Sequence, residues 1–160
     1  KMDHGPVISQ IKTFIPPDET YQTVYARLAQ IAGDIFIRDV GGYLTSSLIP
    51  IPQNHGEATF CKIITKNDGE VDFSKSAMQI YNQWRAYNQW PGIWSFFEGK
   101  RVKLISIAPA AKNLPEGRFL TENGHLFVGC GQNSALEVLV IQPEGKKPMA
   151  AMNFINGLRI

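Results

Sequence analysis

A chain of 160 residues, 44% hydrophobic and 19% charged, can bury one sizeable core, or a core with an appendage, and reads as soluble and globular. No apolar run approaches the roughly 18 residues of a membrane span, and the opening "KMDHGPVISQ" lacks the apolar stretch of a secretory signal, so neither a membrane partner nor export is expected. The net charge of +2 is uneven: residues 1–58 carry 4 Lys and Arg against 6 Asp and Glu (−2), residues 59–160 carry 12 against 8 (+4), a balance compatible with a phosphate-rich partner and with an ordinary surface alike.

In chain order, residues 7–15 have strand character, and a helix-start signal follows at Pro17, Asp18 and Glu19. Tyr21, Val24, Tyr25, Leu28, Ile31, Ala32 and Ile35 then step by three and four, the period of a helix that buries one face. One strand and one helix cannot close a core, so residues 1–43 read as the end of a larger α/β domain. "SSLIPIPQNHGEA", with Pro50, Pro52 and Gly56, favours extended backbone and makes 44–58 a linker.

From residue 59 the pattern changes. Ser74 is expected to cap a helix, with Phe73 and Met78 as its hydrophobic staple, and Ala77, Ile80, Tyr81, Trp84 and Tyr87 share one face of that helix. Pro91 and Gly92 end it near Asn88. Five strand-like runs follow, "IWSFFE", "KRVKLISIA", "GRFLTE", "HLFVGC" and "ALEVLVIQ", separated by Gly- and Asn-bearing turns. In the second run the apolar set moves from Val102 and Leu104 to Ile105 and Ile107, a change of face that implies a bulge. A short helix, "MAAMNFING", closes the pattern. The fold class expected for residues 59–160 is a small antiparallel β-barrel of five or six strands with an inserted helix, similar to an oligonucleotide/oligosaccharide-binding (OB) barrel, preceded by the strand-helix remnant of an α/β domain. Cys61 and Cys130 form no Cys-x-x-Cys pair and are expected as buried free thiols, with no metal site.

The segment "WRAYNQWPGIWSFFEG" concentrates three Trp, one Tyr and two Phe around one turn. Helical spacing followed by strand alternation is what a core supplies, and Trp84 and Trp94 are expected to lie buried between helix and barrel. Trp90, at the turn, is either clamped or exposed, and only the exposed case permits stacking on a base.

Those residues carry a resemblance. Asp72, Phe73, Ser74, then Arg85, Ala86, Tyr87, Asn88, Trp90, Pro91 and Gly92 resemble the start of the C-terminal domain of methionyl-tRNA formyltransferases, with Gln89 in place of a usual proline. Gln142, Gly145, Lys146, Lys147, Met149, Phe154 and Gly157 resemble the end of that domain. "MDHGPVISQIKTFIPPDETYQTVYARLAQIAGDIF" is similar to the last strand and helix of the catalytic domain, and Asp3 matches its catalytic aspartate. The resemblance implies transfer of a formyl group from 10-formyltetrahydrofolate to initiator methionyl-tRNA. In it the aspartate assists proton movement, while an upstream Asn-x-His motif stabilises the tetrahedral intermediate. No Asn-x-His occurs here, and His4, His55 and His125 read as surface or turn residues.

The chain is thereby expected to be the C-terminal part of such an enzyme, inactive alone, binding no folate by itself, and partnered by an upstream catalytic domain and by tRNA. It is expected to be a monomer, cytoplasmic in a bacterium or mitochondrial in a eukaryote. Lys146, Lys147, Lys100, Arg101 and Lys103 are the candidate contacts to the tRNA backbone. Each position keeps a plainer reading. Asp3 before His-Gly-Pro is a turn former, and the paired lysines suit a solvated hairpin tip. Alternation puts Lys100 on the opposite strand face from Arg101 and Lys103. Two further readings are a relative acting on a sugar nucleotide or hydrolysing 10-formyltetrahydrofolate, and a free-standing OB-like binding module without chemistry.

Overall fold

Thr20 opens the first element of the computed structural model, which describes residues 3–158. Its backbone N–H donates to Thr23 Oγ1 at 3.0 Å, and helix α1 runs from there over Tyr21–Leu44. Glu19, just ahead of the helix, accepts a forked pair of bonds from Arg27 at 2.9 and 2.6 Å. Arg27 also holds Thr13 Oγ1 and the Phe14 carbonyl. Ser9 donates to Asp39 on the same helix. The adjoining Arg38 guanidinium, with the Ser9 hydroxyl, pulls the Asp39 carboxyl down to about 2. Polar ties therefore fix the leading segment to α1, and no described residue of 3–63 is buried.

The strand expected over 7–15 is absent. A single antiparallel bridge joins Val7 to Ile51, each N–H donating to the other's carbonyl at 2.9 Å. Ile51 lies between Pro50 and Pro52, whose nitrogens face away from Val7 in such a pair, so the prolines leave the bridge intact. The expected linker contains a turn at His55–Glu57, and the Gln53 amide donates back to the carbonyls of Asp3 and Gly5.

The chain divides into two compact units, residues 1–63 and 64–160. In the second, a 3₁₀ turn at Lys66–Gly69 leads to helix α2, Ala77–Tyr87. Its cap is Ser76, two residues beyond the expected Ser74. Ser76 Oγ accepts from Gln79 N–H at 3.3 Å, and Gln79 Oε1 accepts from Ser76 N–H at 3.0 Å. Ser74 instead donates its N–H and hydroxyl to Asp72, which lowers the Asp72 carboxyl. With the cap displaced, the residue four beyond it is Ile80, which is fully buried, whereas Met78 is exposed and makes no staple.

Six strands follow: β1 Ile93–Phe97, β2 Lys100–Ala110, β3 Phe119–Glu122, β4 His125–Cys130, β5 Ser134–Pro143 and β6 Met149–Ala150. Helix α3, Ala151–Gly157, comes after them. All pairings between strands are antiparallel, in the order β1-β2-β5-β4-β3, with β6 on β5. The bulge expected in β2 is present as register shifts on either side of Ser106, and the buried set passes from Val102 and Leu104 to Ile107 while Ile105 stays exposed.

The sheet is open, not the closed barrel the turn spacing predicts. The strand path ends at β1 and at the four-residue β3, and among the described residues no ladder joins those two ends. The free edge of β1 is covered instead by Glu70 and Val71, whose N–H donates to the Trp94 carbonyl at 2.9 Å. Ala77 and Ile80 of α2 and Ala151 and Ile155 of α3 join Ile93, Val102, Leu104, Leu126, Val128, Leu136, Val138 and Ile141 in one core. Phe73, Phe97, Phe119 and Phe154 pack at its border, edge to face.

Candidate functional site

The hairpin of β1 and β2 turns at Glu98 and Gly99, both with positive φ. Alternation across it decides what meets what. Ile93, Ser95, Val102 and Leu104 face the core, and the opposite face pairs Trp94 with Lys103 and Phe96 with Arg101. Lys100 pairs with Phe97 on the core side of the register, at the exposed end of the hairpin. The three basic residues thus separate as alternation requires.

Trp94 is buried, but on the outer face, not between α2 and the sheet as expected. Its Nε1–H donates to the Lys66 carbonyl at 3.0 Å, and the Arg101 guanidinium lies 4.0 Å over its ring. Gly69 lets the 3₁₀ turn close over the indole, since a Cβ there would stand 2.2 Å from the Gly92 carbonyl oxygen and 3.3 Å from Trp94 Cδ1. Trp84 is half-buried along α2 and donates its Nε1–H to the Ile105 carbonyl at 3.0 Å. Trp90 is 56% exposed.

β5 continues the outer face. Gln142 lies opposite Lys103, Glu144 N–H donates to the Arg101 carbonyl at 3.1 Å, and the chain turns through Gly145 to Lys146, whose N–H returns to Pro143. The Gln142 amide donates to the Lys146 carbonyl at 2.9 Å and fixes that turn. The far wall is the turn Gln89-Trp90-Pro91, closed by Gly92 N–H on the Tyr87 carbonyl. Between the walls is a cleft of about 290 Å³, lined by Lys66, Trp90, Arg101, Lys103, Gln142 and Glu144 among others. Three cations face one carboxylate there. Lys146 and Lys147 are exposed on the adjoining turn.

Of the basic residues expected to meet a partner, Arg101 and Lys103 share this cleft, Lys146 and Lys147 follow its rim, and Lys100 lies apart. Sequence reasoning missed Lys66. Its position in "TKNDG" marks a turn, and long-range contacts, among them the hydrogen bond from Trp94 Nε1 and those from Gln83 to the Asp68 and Glu70 carbonyls, place that turn against the sheet.

Asp3 lies in the first unit, exposed, with φ +61. Its backbone carbonyl accepts from Gln53, and among the described residues its carboxylate has no hydrogen-bond or ion-pair partner. It lines a wide cavity with His4 and His55, whose rings stack with centroids 5.0 Å apart. His125 is exposed, with Nδ1 2.6 Å from Glu137. Among the described residues no three His, Cys, Asp or Glu side chains gather as metal ligands, and no helix is long and apolar enough to cross a membrane. The thiols differ from expectation in one respect: Cys130 is buried but Cys61 is exposed.

The pattern described as "Formyl transferase, C-terminal domain" matches residues 63–159. A curated relative, the methionyl-tRNA formyltransferase of Koribacter versatilis, is 37% identical over 158 residues, which are 99% of this chain and 51% of that protein. The chain thus spans about half the length of the curated relatives it matches. Among solved structures, HypX from Aquifex aeolicus in complex with tetrahydrofolic acid superposes with a TM-score of 0.71 at 14% identity, covering 97% of this chain and 28% of that one. An N-formyltransferase from Helicobacter canadensis in complex with folinic acid and dTDP-3-aminofucose gives 0.67 at 15% identity, covering 89% and 52%. The match over residues 63–159 sets the family, and the two solved structures set only the fold. The chain belongs to the formyl transferase C-terminal domain family.

Proposed function

We propose that this chain is the part of a methionyl-tRNA formyltransferase that holds initiator tRNA while the upstream half transfers a formyl group from 10-formyltetrahydrofolate to the methionyl amine. The observation that carries this reading is the gathering of Lys66, Arg101 and Lys103 in one cleft beside the Lys146-Lys147 turn. Lysine and arginine on one side of a small domain contact phosphates, position a polyanion, and carry little base information. Asp3 takes the place of the catalytic aspartate. Without the Asn and His that would polarise the formyl carbonyl it has nothing to act on, so the chain alone transfers no formyl group, and folate binds through the upstream half.

Titration of labelled initiator tRNA at several salt concentrations tests the binding reading. Each phosphate contact releases condensed counterion, so replacing Lys146 and Lys147 together by Ala should flatten the salt slope by roughly one to two units. In the whole enzyme the same change should raise KM for tRNA more than it lowers kcat. An unchanged slope would move weight to a relative acting on a sugar nucleotide, a reading favoured by the dTDP-sugar in the Helicobacter canadensis structure.

A further inference from the structure

The cleft on the outer face contains an aromatic surface as well as cations, and phosphate contact alone does not use it. Trp90 is 56% exposed at the mouth, and its place is fixed from both sides. Pro91 behind it is buried, and Gly92 N–H closes the turn on the Tyr87 carbonyl at 3.0 Å. Across the cleft the Arg101 guanidinium is held by its stack on Trp94, at 4.0 Å, rather than by a carboxylate. Among the described residues none of Lys66, Arg101 and Lys103 enters an ion pair. Gln89 and Gln142 add amide groups to the same lining.

We propose that this cleft takes one unpaired nucleotide of the bound RNA, its base stacked on Trp90 and its phosphate set among Lys66, Arg101 and Lys103. The inference rests on the tRNA reading above and adds the class of RNA element recognised. A volume of about 290 Å³ lies at the lower end of small-ligand sites, room for one nucleotide and not for a duplex. The bases of a paired stem are stacked on one another and cannot reach an indole, whereas a base at a single-stranded end or loop presents its face. Three cations in excess over the single carboxylate of Glu144, around a ring that every base can stack on, recognise such a unit without reading its sequence.

The test uses the whole 160-residue chain, its Trp90→Ala and Trp90→Phe variants, and three probes: a short single-stranded oligoadenylate, a short RNA duplex, and ADP. Circular dichroism and the urea midpoint establish that each variant is folded. The single strand should quench the wild-type tryptophan emission. Trp90→Ala should weaken single-strand binding by roughly 5- to 100-fold, leaving the duplex affinity and its salt dependence little changed, and Trp90→Phe should retain most of the single-strand affinity. Salt-dependent binding of both RNAs that neither variant alters would overturn the inference while leaving the backbone reading standing. Absence of salt-dependent binding of either RNA to the wild type would remove both. Saturable ADP binding that Trp90→Ala abolishes, without binding of the single strand, would assign the cleft to a free nucleotide and overturn its assignment to RNA.

Discussion

Three indoles within eleven positions of the sequence end in three environments, and the difference is set by what covers each ring. Trp84 shares the helix face of Ile80 and is half covered; Trp94 points away from the core, yet is buried because a turn closes over it; Trp90 is left at the mouth of a cleft. Periodicity identifies the first and assigns the second to a strand, but it cannot show that residues 66–69 return to cover an outer face. The cysteines divide in the same way. Cys130 sits in the β4 core, where burial pushes its thiol up to about 11, and Cys61 is exposed. A maleimide at neutral pH should therefore label one thiol per native chain and two in denaturant, because only a thiolate within reach of solvent reacts. Rapid native labelling of both would contradict the burial of Cys130 in the core.

At the scale of elements, the strands of the second unit are legible from the sequence because each is bounded by turn residues, and the β2 bulge because its apolar phase slips. The cap of α2 is not, since Ser74 and Ser76 are equally good caps in isolation and the choice is made from the far end of β4. Gly131 N–H donates to the carbonyls of Phe73 and Lys75 at 2.8 and 2.9 Å. Ser134 Oγ donates to the Gly131 carbonyl and accepts from Ala77 N–H at 2.8 Å, so "GCGQNS" fixes where the helix begins. A Cβ at Gly131 would stand 1.8 Å from the Ser74 carbonyl oxygen. Gly131→Ala must push the helix entry off the strand and should cost about 3 kcal/mol or more in urea unfolding. Gly33→Ala, inside α1 with nothing within 4 Å, is the internal control and should instead favour the helix by about 1 kcal/mol. Equal effects at the two positions would show that close approach does not set the cost.

At the scale of the whole molecule, the two units differ in where their stability can come from. The second buries side chains from two helices and a six-stranded sheet around one core, whereas the first, over its described residues 3–63, buries none. In α1 the positions Tyr21, Val24, Tyr25, Leu28, Ile31 and Ile35 keep a helical stripe, and Tyr21, Tyr25 and Leu28 on it are exposed. The stripe is legible from the sequence, but its partner is not, because a helix face states that it must be covered without stating by what. Most helical stability in proteins comes from packing of such a face, and a helix held mainly by Arg27, Asp39 and their partners lacks that contribution. Hydrogen exchange should therefore separate the units: the amides of β2, β4 and β5 should exchange only through global opening of the second unit. Those of α1 should exchange orders of magnitude faster, close to the rate of a frayed 24-residue helix. In the longer enzyme proposed above, where an upstream half would cover the stripe, α1 should gain protection while the strands change little. Protection of α1 in the isolated chain equal to that of β5 would show that the stripe is already covered, and would remove the reason to assign it to a missing partner.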